Sequence, residues 1–366
     1  MAGTPGVAGY IGANRQFAIF SSLRPITERI YLDHAATSPL RPQALAAMEE
    51  GFRLWANPSS PHAEGRKARS ALEDARMRIK RSLGWESEVI FTSGASEALA
   101  IAITRSKTRR TFISAVEHDA VLRAARDAAL LSVENGTTAL PDDLSQALIA
   151  IQQINPETGA VLLCDDESYR SISEGGGLLL ADCSQSAGKL DLPKCDMAVV
   201  SAHKLGGPVG IGALLLRDFA LLEPVGGHER GYRAGTENLP GALGFAAAVE
   251  AASEERTKEF AEVQSEFARK MAPWRLLTGE NHVDHILALT HPTTRAQALL
   301  IRFDALGFAV SAGSACSSGT LKKSRVLEGF GVEDDVAART IRISLGWSTT
   351  QADVDSFADA WLGSMQ

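Results

Sequence analysis

Short apolar runs alternate with segments of helical period through most of this chain, and that alternation restricts the fold more than any other feature. EVIFTSG, residues 88–94, reads as a strand and a turn, and SEALAIAITRS continues as a helix. RTFISA, residues 110–115, is the next strand, and HDAVLRAARDAALL the next helix. GGLLLADCS and DMAVVSAHK are two further buried strands, with IGALLLR close behind. Such alternation predicts an α/β fold, a large domain whose mostly parallel sheet is flanked by helices on both faces. From about Pro240 the pattern changes. GALGFAAAVEAASEERTKEFAEVQSEFARKMA predicts one long amphipathic helix or two, followed by HILALT, a helix around 296–306, GFAVSAGSACSSG and RTIRISLGW. This half predicts a smaller α+β domain. The closing TTQADVDSFADAWLGSM has a capping threonine and an acidic first turn, as a C-terminal helix should.

Bulk composition excludes several classes of function. A formal net charge of −7 argues against a nucleic-acid partner. No run approaches the roughly 18 apolar residues of a membrane span, so no membrane role is expected. The 4 cysteines, Cys164, Cys183, Cys195 and Cys316, form no CxxC pair and no zinc spacing. No metal is therefore expected, and a reducing, cytoplasmic compartment is. The first 28 residues contain no Asp and 1 Glu, in Glu28, and lack the apolar core of a secretion signal. They read as a disordered leader, a transit peptide that leaves an organellar location open, or an early start.

Three local features carry candidate chemistry. In FTSGASEALAIAI a strand runs into a glycine turn and a helix, so free N–H groups could hold an anion with help from Ser96; equally, Ser96 could be an ordinary helix cap. In LLLADCSQSAGKL, Asp182 ends a wholly apolar run and needs a partner, which a protonated pyridine nitrogen or a turn would supply. In VVSAHKLGGPVGIG, Lys204 ends another such run; it is either a solvated strand end or a desolvated amine able to form a Schiff base. Gly206, Gly207 and Gly210 would leave room there for a bulky cofactor. A reactive amine, a pyridinium partner and an anion cradle together are the requirements of pyridoxal phosphate.

The chain also resembles the cysteine desulfurases, class V members of the fold-type I pyridoxal-phosphate enzymes. YLDHAATSPL, NPSSPHAEGRKAR, FTSGASEA, VEHDAV, NPETGAV, DCSQSAGKL, SAHKLGGPVGIGAL, GGHERGYRAGTENLPG, SAGSACSSGTL and IRISLGW occur in that family's order, over roughly residues 30 to 357. The resemblance implies pyridoxal 5'-phosphate, with Lys204 joined to its aldehyde, Asp182 at the pyridine nitrogen, Gln185 at the ring hydroxyl and His118 stacked on the ring. It places the phosphate on Ala95, Ser96, Ser201 and His203, and lets Thr236 reach the phosphate of a partner subunit, which implies a homodimer. Asn155 would contact cofactor or substrate, and Arg342 would grip the carboxylate of L-cysteine. Cys316, among Ser, Ala and Gly, would take the sulfur as a persulfide and pass it to an acceptor protein for iron–sulfur cluster assembly or tRNA thiolation. Residues 1–30 are expected to be a disordered extension, 41–256 the large cofactor domain, and 31–40 with 257–366 the small domain carrying the Cys316 loop.

This sequence departs from the family in places. The stretch between His118 and Asn155 is short, NPETG stands where NNETG is usual, and His34 stands where Asn or Tyr is frequent. Residues alone leave open a selenocysteine lyase, another class V enzyme, or a catalytically weak cofactor-binding scaffold.

Overall fold

The apolar runs form strands because Val, Ile and Leu on a pleated ribbon can be buried on two faces at once. In the computed structural model, which describes residues 29–163, 165–255, 258–313 and 323–365, seven strands make one sheet. Their order is Glu88–Thr92, Gly212–Leu216, Met197–Ser201, Leu178–Asp182, Ala147–Gln152, Arg110–Ser114 and Ala129–Leu131. Gly212–Leu216 runs antiparallel to both neighbours and every other pairing is parallel. Successive residues point to opposite faces. Ile90, Leu148 and Val199 meet Leu99 and Val121 on one face, while Phe91, Ile149 and Val200 meet Phe245 and Val249 on the other.

The predicted helix over 118–131 is corrected. It covers only Asp119–Ala124, and Ala129–Leu131 adds to the sheet edge, Ser114 opposite Leu131. The alanines favour helix, but burial of Leu131 and the ladder bonds to the neighbouring strand override that preference. The long segment after Pro240 is two helices, Leu239–Glu254 and Lys258–Met271.

A separate apolar cluster joins Ile30 and Leu32 to Phe267, Leu299, Phe303, Ile341 and Trp361. Around it Ile286–Thr290 pairs antiparallel with Thr340–Ser344, and Ile30–Tyr31 pairs parallel with Phe308–Ala309. Residues 30–36 are thereby laid along this cluster, with Ser344 N donating to Leu32 O at 2.8 Å. The last helix, Gln351–Gly363, opens with the expected cap: Asp353 N donates to Thr350 Oγ1 at 3.2 Å and Thr350 N to Asp353 Oδ2 at 2.9 Å. Among the described residues no helix is long and apolar enough to cross a membrane, and no metal-ligand cluster is present.

Candidate active site

Parallel strands deliver their C-terminal ends to one edge of the sheet, where ligands of such folds bind. A cavity of about 670 Å³ opens there. Glu88–Thr92 leads into it through Ser93 and Gly94, Leu178–Asp182 ends on Asp182, and Met197–Ser201 turns through Ala202–Lys204. Ala95, Ser96, His118, Asp182, Gln185, Ser201, His203, Lys204 and Arg342 all line it. Asn155 and Thr236 do not, and Cys316 lies outside the described residues, as do Cys164 and the expected N-terminal extension. Cys183 and Cys195 are buried in the core, and burial raises both thiols far above their ordinary values.

Lys204 Nζ donates to Ala35 O at 2.6 Å and Ala36 O at 2.7 Å. Those carbonyls belong to the segment laid along the second cluster, so that segment aims the amine. Burial first, then the Arg342 charge, lowers Lys204 to about 8, against the opposing pull of Asp182 and Asp33. The glycines that follow do less than expected to make room. Of the three named, only Gly210 lines the cavity. Gly206 has φ +86, and a Cβ on it would meet Arg41 Cγ at 2.6 Å, so the turn itself demands glycine.

Ser96 is not the helix cap. Gly94, at φ 148, holds that position without a side-chain cap, and the helix Ala95–Thr104 leaves its first N–H groups facing the cavity. Ser96 stands in the first turn beside them, and Ser201 and His203 come from the adjacent strand end. His203 Nδ1 lies 3.1 Å from Thr37 Oγ1, and burial lowers its basicity to a pKa of about 4. With Glu97 of the same turn paired to Arg233, the free N–H groups of this rim can hold an anion.

Asp182, Gln185 and His118 line the same cavity. Asp182 Oδ1 accepts from Ser184 N at 2.9 Å and Ser184 Oγ at 2.5 Å. Gln185 Nε2 donates to Ala35 O at 2.9 Å, while its Oε1 is buried without a partner. His118 Nδ1 accepts from Ala120 N at 3.1 Å, which leaves a neutral ring to carry its proton on Nε2. Burial lowers His118, with Asp182 opposing.

Arg342 has a partner that its sequence neighbours do not reveal. Its Nη2 donates to Asp33 Oδ1 at 2.7 Å and its Nη1 to Pro156 O at 3.0 Å, while Nε has no partner. Asn155 is spent on the chain itself: Nδ2 donates to Val116 O at 3.3 Å and Oδ1 accepts from Glu157 N at 2.9 Å and Thr158 N at 3.0 Å. Three cavity residues were missed. Glu117 is wholly buried, accepts from Gln152 N at 2.8 Å through Oε1, and is pushed well up by burial. Glu157 accepts from Ser324 Oγ at 2.6 Å. Arg325 donates to Ala115 O at 2.5 Å and to Glu117 O, gripping the residues just before His118. Only Glu117 carried a sequence signal, its place next to His118 at a strand end.

The aminotransferase class-V family profile matches residues 30–357. The chain is similar to the putative cysteine desulfurase IscS 1 of Bacillus subtilis, 37% identical over 90% of this chain and 97% of the relative. It is also similar to the IscS-like cysteine desulfurase of Mycobacterium tuberculosis, 33% identical over 92% of this chain and 96% of the relative. Among solved structures, a NifS-like protein has a TM-score of 0.80 at 28% identity, covering 92% of this chain and 99% of its own. SspA in complex with cysteine has a TM-score of 0.73 at 30% identity, covering 86% of this chain and 98% of its own.

Proposed function

The chain belongs to the aminotransferase class-V family, and from that premise we propose that it is a cysteine desulfurase, converting L-cysteine to L-alanine and retaining the sulfur. One observation carries the reading. A desolvated lysine amine, a strand-end carboxylate and a free helix N-terminus share a cavity, in a chain whose relatives are named for this activity. That SspA is described in complex with cysteine supports the same substrate here.

The cavity residues fit pyridoxal 5'-phosphate. Gln185 Oε1 is a buried acceptor without a partner, suited to a ring hydroxyl, and the Asp182 carboxylate is available to a pyridine N–H. Lys204 would bind the aldehyde, His118 would lie on the ring, and Ala95, Ser96, Ser201 and His203 would hold the phosphate. Thr236, exposed here, would reach the phosphate held by a second copy of the chain. When bound, the cofactor supplies an electron sink for the carbanion at the substrate Cα.

The chain's own groups do the rest. Arg342, oriented by Asp33 and Pro156 O, offers its remaining N–H donors to the substrate carboxylate. Asn155 keeps the turn after Ile154 in place, and it reaches the ligands only through that turn. Lys204, once free, takes the Cα proton, and His118 carries protons at Nε2. The Cys316 thiolate attacks the substrate sulfur; the S–S bond forms as the C–S bond breaks, and the carbon takes up the electron pair and a proton as the alanine methyl. The persulfide then passes to an acceptor protein, serving iron–sulfur cluster assembly or tRNA thiolation in the cytoplasm.

Wild-type protein given L-cysteine and a reductant is expected to release alanine and sulfide in equal amounts. Cys316→Ala is expected to keep the cofactor absorbance and lose both products by about 10³-fold or more. A keto acid in place of alanine, or full activity in the variant, refutes the reading. A second expectation concerns the amine. Only neutral Lys204 is nucleophilic, so cofactor uptake by the apoprotein should accelerate as pH rises through about 8. Stopped-flow absorbance measures it; a midpoint at the ordinary lysine value contradicts the desolvated amine.

A further inference from the structure

Behind the Lys204 turn lies a second cavity of about 410 Å³, bounded by that turn, the helix Lys258–Met271 and residues 282–285 just before the strand Ile286–Thr290. Lys204 lines both cavities. Lys189, His285 and Arg41 line only the second. Among the described residues the Lys189 ammonium has no ion pair, and the charges acting on it, Lys204 and Arg41, are both positive. Two carboxylates face the cavity, but arginines already hold them: Glu255 Oε2 lies 2.5 Å from Arg41 Nη1, and Asp284 Oδ1 lies 2.9 Å from Arg275 Nη1. His285 is 6% exposed and its Nε2 has no partner. His282 Nε2 accepts from Thr278 N at 3.1 Å, and His34 Nδ1 sits 3.1 Å from Ser38 Oγ.

We propose that this cavity binds a small monovalent anion, a halide or a carboxylate, at Lys189. A sequestered ammonium without a counter-ion is costly, and both carboxylates lining the cavity are already held by arginines. An anion there meets the positive field of Lys189, Lys204 and Arg41. Ser38 and Gln264 complete a polar wall. Burial and the neighbouring cations lower Lys189 to about 7, and burial with the Lys189 charge holds His285 well below its usual value. His282 and His34, lowered to about 4 and about 3 chiefly by burial, stay neutral across the working range. Glu255 and Asp284 stay paired, so Lys189 is the group whose proton the anion recruits. The bound anion also stands behind Lys204 and makes that amine more basic.

The test uses purified holoenzyme and does not depend on its activity. Crystals soaked in bromide at pH 6 should show an anomalous peak within hydrogen-bond reach of Lys189 Nζ, lost in Lys189→Met. In solution, bromide and acetate are tested separately, so that a halide site is told apart from a carboxylate site. At least one should raise the melting temperature of the wild type and not of Lys189→Met or Lys189→Gln. Affinity should be roughly a hundredfold weaker at pH 9 than at pH 6, because the anion selects the charged ammonium. Absence of a peak at Lys189, or equal stabilisation of all three proteins by both anions, overturns the proposal. If alanine formation fails while the peak stands, the desulfurase reading falls and the anion site does not.

Discussion

Replacing Lys204 with alanine is expected to reduce alanine formation from L-cysteine by about 10³-fold or more and to abolish the absorbance of the bound cofactor. The size follows from two losses at one atom: the amine proposed to join the cofactor and the base proposed to move the Cα proton. Among the described residues no second lysine lines this cavity. Lys189 lines the other cavity and not this one. Folding should change little by comparison. Lys204 is partly exposed to the cavity, and Ala35 O and Ala36 O, its two acceptors, can turn to water in the open site. The measurement is alanine by amino-acid analysis, beside an absorbance spectrum and a melting curve. More than a tenth of wild-type turnover in Lys204→Ala would sink the assigned role, and an equally large loss of melting temperature would recast it as structural.

Lys204 and Asp182 were legible in the sequence for a reason rooted in the fold. Each ends a continuous apolar run, and a polar group in that position must stand at the strand end where a parallel sheet places its ligands. The sheet's mostly parallel character was legible for the same reason, since only strands covered on both faces lack a polar alternation. What stayed hidden depends on chain segments far apart. Asp33 meets Arg342 across 309 residues and Arg325 meets Ala115 across 210, and no local spacing records such a meeting. The stretch after His118 misled because alanine content speaks for helix while a sheet edge decides otherwise. Gly206 misled too: its missing side chain answers a positive φ and the approach of Arg41, not the bulk of a ligand.

The largest effect on stability should come from Glu229, far from any chemistry. Glu229 and Arg76 are each 4% exposed. Arg76 Nη1 and Nη2 donate to Glu229 Oε2 and Oε1 at 2.7 and 3.1 Å, and Phe91 N donates to Oε2 at 2.8 Å. Arg76 also donates to Val89 O at 2.7 Å and lies over the Phe91 ring. One carboxylate thus ties the helix Ala63–Leu83 and the edge strand Glu88–Thr92 to the segment that leads to Thr236. Glu229 and Arg230 take φ of 47° and 59°, a left-handed backbone held against the preference of their side chains, and the ion pair is what opposes relaxation. Removing Glu229 leaves the buried Arg76 with only the half-exposed Glu73, 3.3 Å from its Nε, so Glu229→Ala should lower the unfolding free energy by about 3 kcal/mol in urea titration. The double variant Arg76→Met with Glu229→Leu removes both charges and should recover much of that loss. A single variant within about 1 kcal/mol of wild type would mean the pair behaves as a surface pair. A double variant no better than the single one would place the cost in the Phe91 N–H and the strained turn, since those are the features that both variants leave without Glu229.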